Sequence, residues 1–329
     1  MANRIRKQSI FKRIPVIDIT PLVIPNDNSK LIQKTGDEIR DACKNAGFFY
    51  IKNHQIPQSH LDSVIPSIQK FFNLSLEEKM KIHIRKSDIF RGYTPLGKEL
   101  TNNKYDWHEC VDFGLDLKPN NPEVISGKQL AGPNQWPENQ RNFKKVLEKH
   151  WDFMIILGRM ITQGLAISLG LTKNYFAPFM SKSHSYMRIS NYPPHEDTQK
   201  KNIGDGIGEH IDYGFLTILL QDSIGGLEIK TSNNEWFSAP IIPGTLLINI
   251  GHMIQRWTND CYRATIHRVI PPKHETRVSL PFFFEPNYDT VVSPLEKFCS
   301  KDRLPQYKPI HFGEYLERTF KTSYSSIIE

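Results

Sequence analysis

The sequence predicts an α+β fold in which a helix-rich N-terminal half packs around a C-terminal β-barrel or jelly roll. Three observations carry that expectation. Apolar residues recur at helical spacing through much of the chain up to Gly170. From about residue 184 the pattern changes to short β-rich runs at 185–192, 215–221, 226–230, 245–250, 264–270 and 277–284. Turn residues separate these runs, among them Gly225-Gly226, Asn233-Asn234 and Pro243-Gly244, and short strands punctuated this way belong to barrels and jelly rolls.

Taken in order, residues 14–19 read as a short first strand. Residues 29–46 read as a helix stopped by Gly47, a residue suited to the left-handed conformation that closes helices. Phe48-Phe49-Tyr50-Ile51 reads as a buried strand. Between Ser59 and Phe72 the residues Leu61, Val64, Ile65, Ile68, Phe71 and Phe72 gather on one helical side, and Pro66 is expected to kink that helix. Ser75 and Glu78 form a capping box that opens another short helix. Residues 84–136 are richer in loops. Pro137 then occupies the first position of the longest helix, expected to run to about Leu169 and end at Gly170 with Phe143, Leu147, Met154 and Ile161 turned to the core.

At 329 residues and 39% hydrophobic content the chain can form one large domain or two small ones around a real core. It contains no apolar run of about 18 residues, so no membrane-spanning helix is expected. Cys43, Cys110, Cys261 and Cys299 stand singly without a CxxC pair, which argues against a zinc knuckle or dithiol motif and fits the reducing cytoplasm. Part of the net charge of +7 comes from Arg4, Arg6, Lys7, Lys12 and Arg13, which precede the first acid, Asp18. Residues 1–13 are read as a loosely docked basic tail rather than an organelle-targeting peptide, and they lack the apolar region of a secretory signal. No basic cluster interleaved with aromatics marks a nucleic-acid groove. The basic balance suits small-molecule ligands that carry carboxylates, and a monomer is expected.

Gly208-Glu209-His210-Ile211-Asp212-Tyr213-Gly214 sets a histidine and an aspartate two apart. On a strand, alternate residues share a face, so one strand end would offer an imidazole and a carboxylate to a single ion. His267 supplies a second imidazole from Ala264-Thr-Ile-His-Arg-Val269. Two histidines and one carboxylate form the facial triad of non-haem iron(II) oxygenases, which leaves three positions open. Zinc is less favoured because HEXXH is absent. A lone HxD pair says little, but ten residues beyond His267 come Arg277 and Ser279, again alternate positions on one strand. A planar guanidinium and a hydroxyl make a clamp for the far carboxylate of a dicarboxylic keto acid.

These residues lie in a chain that resembles the isopenicillin N synthase-like family of iron(II)/2-oxoglutarate oxygenases. The resemblance rests on residues 187–194, His210-Ile-Asp-Tyr-Gly214, Gly225-Gly-Leu-Glu-Ile229, Pro243-Gly-Thr-Leu-Leu-Ile-Asn-Ile-Gly251, Trp257-Thr-Asn259, His267-Arg-Val269 and Arg277-Val-Ser-Leu-Pro-Phe-Phe283. It extends to Ile14-Pro-Val-Ile-Asp18, Gly47-Phe-Phe-Tyr-Ile-Lys-Asn-His54 and Arg91-Gly-Tyr93, and so covers nearly the whole chain. It implies a double-stranded β-helix, with an oxygenase region at 14–183, a jelly-roll core at 184–290, and a helical C-terminal segment, 291–329, closing the pocket. It also implies His210, Asp212 and His267 as iron ligands, Arg277, Ser279 and Tyr192 as the 2-oxoglutarate site, and Arg91 and Tyr93 as substrate contacts.

The expected reaction is oxidation, by default hydroxylation, of a small metabolite with release of succinate and CO2. Dioxygen is a co-substrate and ascorbate a supporting reductant. The alternatives are an isopenicillin N synthase-type oxidase without 2-oxoglutarate and a non-catalytic jelly-roll binding protein. Ser190 stands where many plant members have asparagine, His252 where an acid often follows Asn-Ile-Gly, and Gln55 where a glycine is common. Residues 204–208 are read as a loop beside the iron rather than a phosphate site. His195 is read as solvated, and Trp257 and Phe282 to Phe284 as core.

Overall fold

The structure is a computed structural model and describes residues 13–24, 28–195, 204–324 and 327; all but the last residue of the basic tail lies outside the described residues. The chain opens with β1 (Val16–Asp18), α1 (Thr20–Val23), α2 (Ser29–Asn45) and β2 (Phe48–Lys52). Helices α3 (Gln58–Phe72) and α4 (Leu76–Met80) precede β3 (Gly92–Thr94), β4 (Leu100–Thr101), β5 (Lys104–Tyr105) and β6 (Glu109–Gly114). After α5 (Pro122–Ile125) comes the long helix α6 (Arg141–Ser168). The second half contains β7 (Tyr186–Tyr192), β8 (Ile207–His210), β9 (Leu216–Gln221), β10 (Leu227–Lys230), β11 (Trp236–Ser238) and β12 (Leu246–Ile250). It ends with α7 (His252–Trp257), β13 (His267–Val269), β14 (Arg277–Phe284), β15 (Val291–Val292), β16 (Ile310–His311) and α8 (Phe312–Ser323).

Two sheets form the jelly roll. The larger runs β1-β2-β12-β9-β14-β7-β6-β3 and the smaller β11-β10-β13-β8. The larger sheet lays the helical layer against one face: Trp151 of α6 meets Phe282 edge-on at 4.9 Å. Its other face and the smaller sheet enclose a cavity of about 400 Å³. Strands from the N-terminal half complete the larger sheet at both edges, with β2 pairing β12 and β6 pairing β7. The regions 14–183 and 184–290 therefore share one sheet rather than packing as separate units.

Several local details depart from the expectations, each for a physical reason. The long helix begins at Arg141 instead of Pro137, because Asn139 adopts a left-handed φ of 61° that interrupts any helix started earlier. Helix α3 continues through Pro66, which lies on the exposed side, so the carbonyl it leaves without a donor can turn to water. The loop-rich stretch 84–136 contains β6, a fully buried interior strand. Gln55 holds a left-handed φ of 62°, which accounts for the glycine common at that position in similar chains. Trp257, Phe282 and Phe284 are buried as expected, whereas Phe283 points the other way and lines the cavity.

Candidate active site

Strand β8 ends at His210, so Asp212 lies beyond it and strand alternation does not bring the two together. The turn after β8 does so instead. The start of α7 pins it: the His252 N–H donates to the Asp212 carbonyl at 2.8 Å, and the Met253 N–H donates to the Gly214 carbonyl at 2.9 Å. Gly251 is required there, since a Cβ would come within 2.2 Å of the Gly214 carbonyl oxygen. The second histidine arrives by sheet register, because His267 on β13 pairs directly with His210 on β8. The two rings lie 4.2 Å apart between centroids, and their Nε2 atoms stand 3.7 and 3.5 Å from Asp212 Oδ1.

The surroundings prepare all three for a cation. His210 Nδ1 donates to the Gly208 carbonyl at 2.8 Å and His267 Nδ1 to the Thr265 carbonyl at 3.0 Å, which leaves each Nε2 lone pair free. Burial, reinforced by the neighbouring His267, lowers the His210 pKa to about 4, so the ring is neutral at ordinary pH. Burial works to raise the Asp212 carboxyl, but the two imidazoles and hydrogen bonds from Thr217 and Asn249 outweigh it and hold the group below its usual value. Asn249 Nδ2 donates to Asp212 Oδ2 at 2.6 Å, and the Thr217 hydroxyl donates to the same oxygen. Two imidazoles with free Nε2 atoms and a carboxylate with one free oxygen suit a divalent first-row metal, and iron fits this donor set.

Arg277 and Ser279 alternate on β14 and both face the cavity. Arg277 is only 1% exposed, and its guanidinium lies over the Tyr192 ring at 4.8 Å. Nη2 donates to Gln221 Oε1 at 3.3 Å, while Nε and Nη1 are buried without an acceptor. A buried guanidinium whose Nε and Nη1 lack acceptors is suited to an anion, and a carboxylate can supply the missing acceptors. Ser190, cross-strand partner of Ser279, lines the same wall.

Other cavity residues escaped the sequence reading. Tyr186 and Arg188 share the alternating inward face of β7 with Ser190 and Tyr192, so strand period alone would have found them. Arg188 Nε and Nη2 bind both oxygens of Asp112 at 2.9 Å, and Nη1 reaches Glu99 at 2.8 Å. Asp106, also on the cavity wall, accepts from the Gly208 N–H at 3.0 Å and the Thr101 hydroxyl at 2.7 Å. Phe320 and Ser323 of α8 bring the C-terminal segment into the wall.

Three expectations are corrected here. Arg91 does not line this cavity but faces another one. Tyr93 is buried with its hydroxyl on Glu109, which also receives Lys79 at 2.8 Å, so it belongs to an interior ion pair. His195 is buried, stacked on Trp107 at 4.4 Å, rather than solvated.

Comparison with known proteins shows the family of the chain. Residues 14–139 match the family model for the N-terminal region of non-haem dioxygenases in morphine synthesis, and residues 183–286 match the 2OG-Fe(II) oxygenase superfamily. A homoarginine-6-hydroxylase of Oryza sativa subsp. japonica is 36% identical over 326 residues, covering 96% of this chain and 99% of its own. The 2-oxoglutarate-Fe(II) type oxidoreductase hxnY of Emericella nidulans is 30% identical, covering 94% of this chain and 90% of its own. The solved structure of a full-length Neurospora crassa protein in complex with alpha-KG and thymine superposes with a TM-score of 0.81 at 27% identity, covering 94% of this chain and 97% of its own. The chain belongs to the 2OG-Fe(II) oxygenase superfamily: it is a non-haem iron(II) dioxygenase that uses 2-oxoglutarate to oxidise a small molecule.

Proposed function

We propose that His210, Asp212 and His267 hold the iron, that Arg277, Ser279 and Tyr192 hold 2-oxoglutarate by its far carboxylate, and that the substrate is a small cationic metabolite of the basic amino-acid type. The observation that carries the substrate reading is the group of acids on the cavity wall. Glu99, Asp106 and Glu209 line the cavity, with Arg188 as the only cation there besides Arg277 among the described residues. Glu99 is matched by Arg188, and Glu209 by Lys230 at 2.9 Å, whereas Asp106 has no ion-pair partner within 4.0 Å among the described residues. A positive group on the substrate would complete it. Four relatives named homoarginine-6-hydroxylases, each 34–36% identical across at least 95% of this chain, support the same class.

Iron bound at the triad supplies dioxygen activation coupled to conversion of 2-oxoglutarate to succinate and CO2. The chain's own residues set the geometry. The Gly208 and Thr265 carbonyls orient the two imidazoles, Thr217 and Asn249 fix which Asp212 oxygen stays free, and Arg277 aligns the co-substrate. Tyr186, Phe283 and Phe320 wall off water around the reacting carbon.

The test is succinate release from the iron-loaded protein with L-homoarginine, L-arginine and L-lysine, against thymine as a neutral comparison. A basic amino acid should stimulate release, and Asp106→Asn should raise its KM about tenfold or more with kcat little changed. Stimulation by thymine alone would refute the substrate reading while leaving the iron site intact.

A further inference from the structure

A second cavity of about 920 Å³, lined by Arg91, lies between α6, the segment 115–131 and residues 181–185. Its walls are divided by chemistry. Leu115, Leu130, Trp151, Ile155 and Ile156 form an apolar side. Arg91, Lys128, Arg159 and Lys182 set four cations against the carboxylates of Glu123 and Asp152.

Arg91 is the unusual member. It is 3% exposed, its guanidinium makes no hydrogen bond to any described residue, and its Nε is fully enclosed. Asp112, the carboxylate that acts on it most strongly, has both oxygens taken by Arg188 and receives the Tyr324 hydroxyl as well. The backbone also makes room for this side chain: a Cβ on Gly114 would fall 1.8 Å from Arg91 Nη2. His184 adds a second buried nitrogen without a partner, Nε2, on the same wall. A buried cation and a buried imidazole nitrogen left unpaired are unfavourable unless something fills them.

We infer that this cavity is a second ligand site, for an organic carboxylate with an apolar body, its carboxylate on Arg91 and its body against Trp151 and Ile155. The planar guanidinium selects a carboxylate, and the apolar walls exclude a bare inorganic anion as the best occupant. The site is separate from the 2-oxoglutarate clamp, which uses Arg277 on β14.

The full-length protein, loaded anaerobically with Fe(II) and N-oxalylglycine so that the Arg277 clamp is filled, is titrated calorimetrically with 2-naphthoate. Saturable binding of one equivalent is expected, and 2-naphthalenemethanol, which lacks the charge, should bind at least about tenfold more weakly. Arg91→Met should weaken naphthoate by a similar factor and melt no lower than wild type, because it removes an uncompensated buried charge. Ile156→Glu, at a position 52% exposed on the cavity rim, repels the anion without touching the core and should also weaken binding. Equal affinity in Arg91→Met, absence of binding in the wild type, or binding only when N-oxalylglycine is omitted would each overturn the assignment.

Discussion

Burial pushes the Asp106 carboxyl up from 3.8 to about 6, against the opposing pull of His108, Thr101 and the Gly208 N–H. Above that pH the group is a carboxylate able to meet a cationic substrate, and below it the group is neutral. The KM for a basic amino acid should therefore rise as pH falls through about 6, and Asp106→Asn should have a high KM with no such dependence. A KM that stays flat between pH 5 and 7 in the wild type would remove Asp106 from the substrate site. At this scale the residues proposed for the triad and the clamp stand out in the sequence because their residue types are chemically specific. Asp106 and Glu99 do not, because an acid in a loop-rich stretch reads as solvated until the fold shows it buried.

The joint between α6 and β14 is tightly packed. Gly158 on α6 faces Phe284, whose ring carbons would lie 2.5 Å from an added Cβ, and Phe284 is itself fully buried. Gly158→Ala gains about 1 kcal/mol of helix propensity but overpacks a rigid ring, at a cost of roughly 1–3 kcal/mol. The net should be destabilising, read as a lower midpoint in thermal unfolding with 2-oxoglutarate affinity preserved. A higher midpoint would show that the helix can shift.

Strongly periodic elements were readable at this scale: α2, α3, β2 and every C-terminal run coincide with strands or helices. Strand β6 was missed because Glu109 and Asp112 interrupt its apolar pattern, and they are tolerated inside through ion pairs with Lys79 and Arg188, which lie far away in sequence. The start of α6 was misplaced because the left-handed conformation of Asn139 is a tertiary choice that Pro137 cannot reveal.

Over the whole molecule, one end of the jelly roll gathers residues from strands that are distant in sequence. His210 and His267 meet through the pairing of β8 with β13, and Arg277 meets Tyr192 through the pairing of β14 with β7. Arg277 and Ser279 share a face because both lie inside a strand, whereas Asp212 lies past the end of β8 and a turn delivers it. The central claim is that triad and clamp open onto one cavity and together take a single 2-oxoglutarate. Anaerobic titration of the iron-loaded protein with 2-oxoglutarate, followed by the visible charge-transfer absorption of the chelate, tests it most directly. The wild type should develop the band with one equivalent, and Arg277→Leu should reach the same band only at concentrations roughly 30-fold higher or more, as loss of a buried charge partner worth about 2–5 kcal/mol requires. An iron-loaded, folded wild type without the band, or an Arg277→Leu protein that titrates like the wild type, would contradict the account.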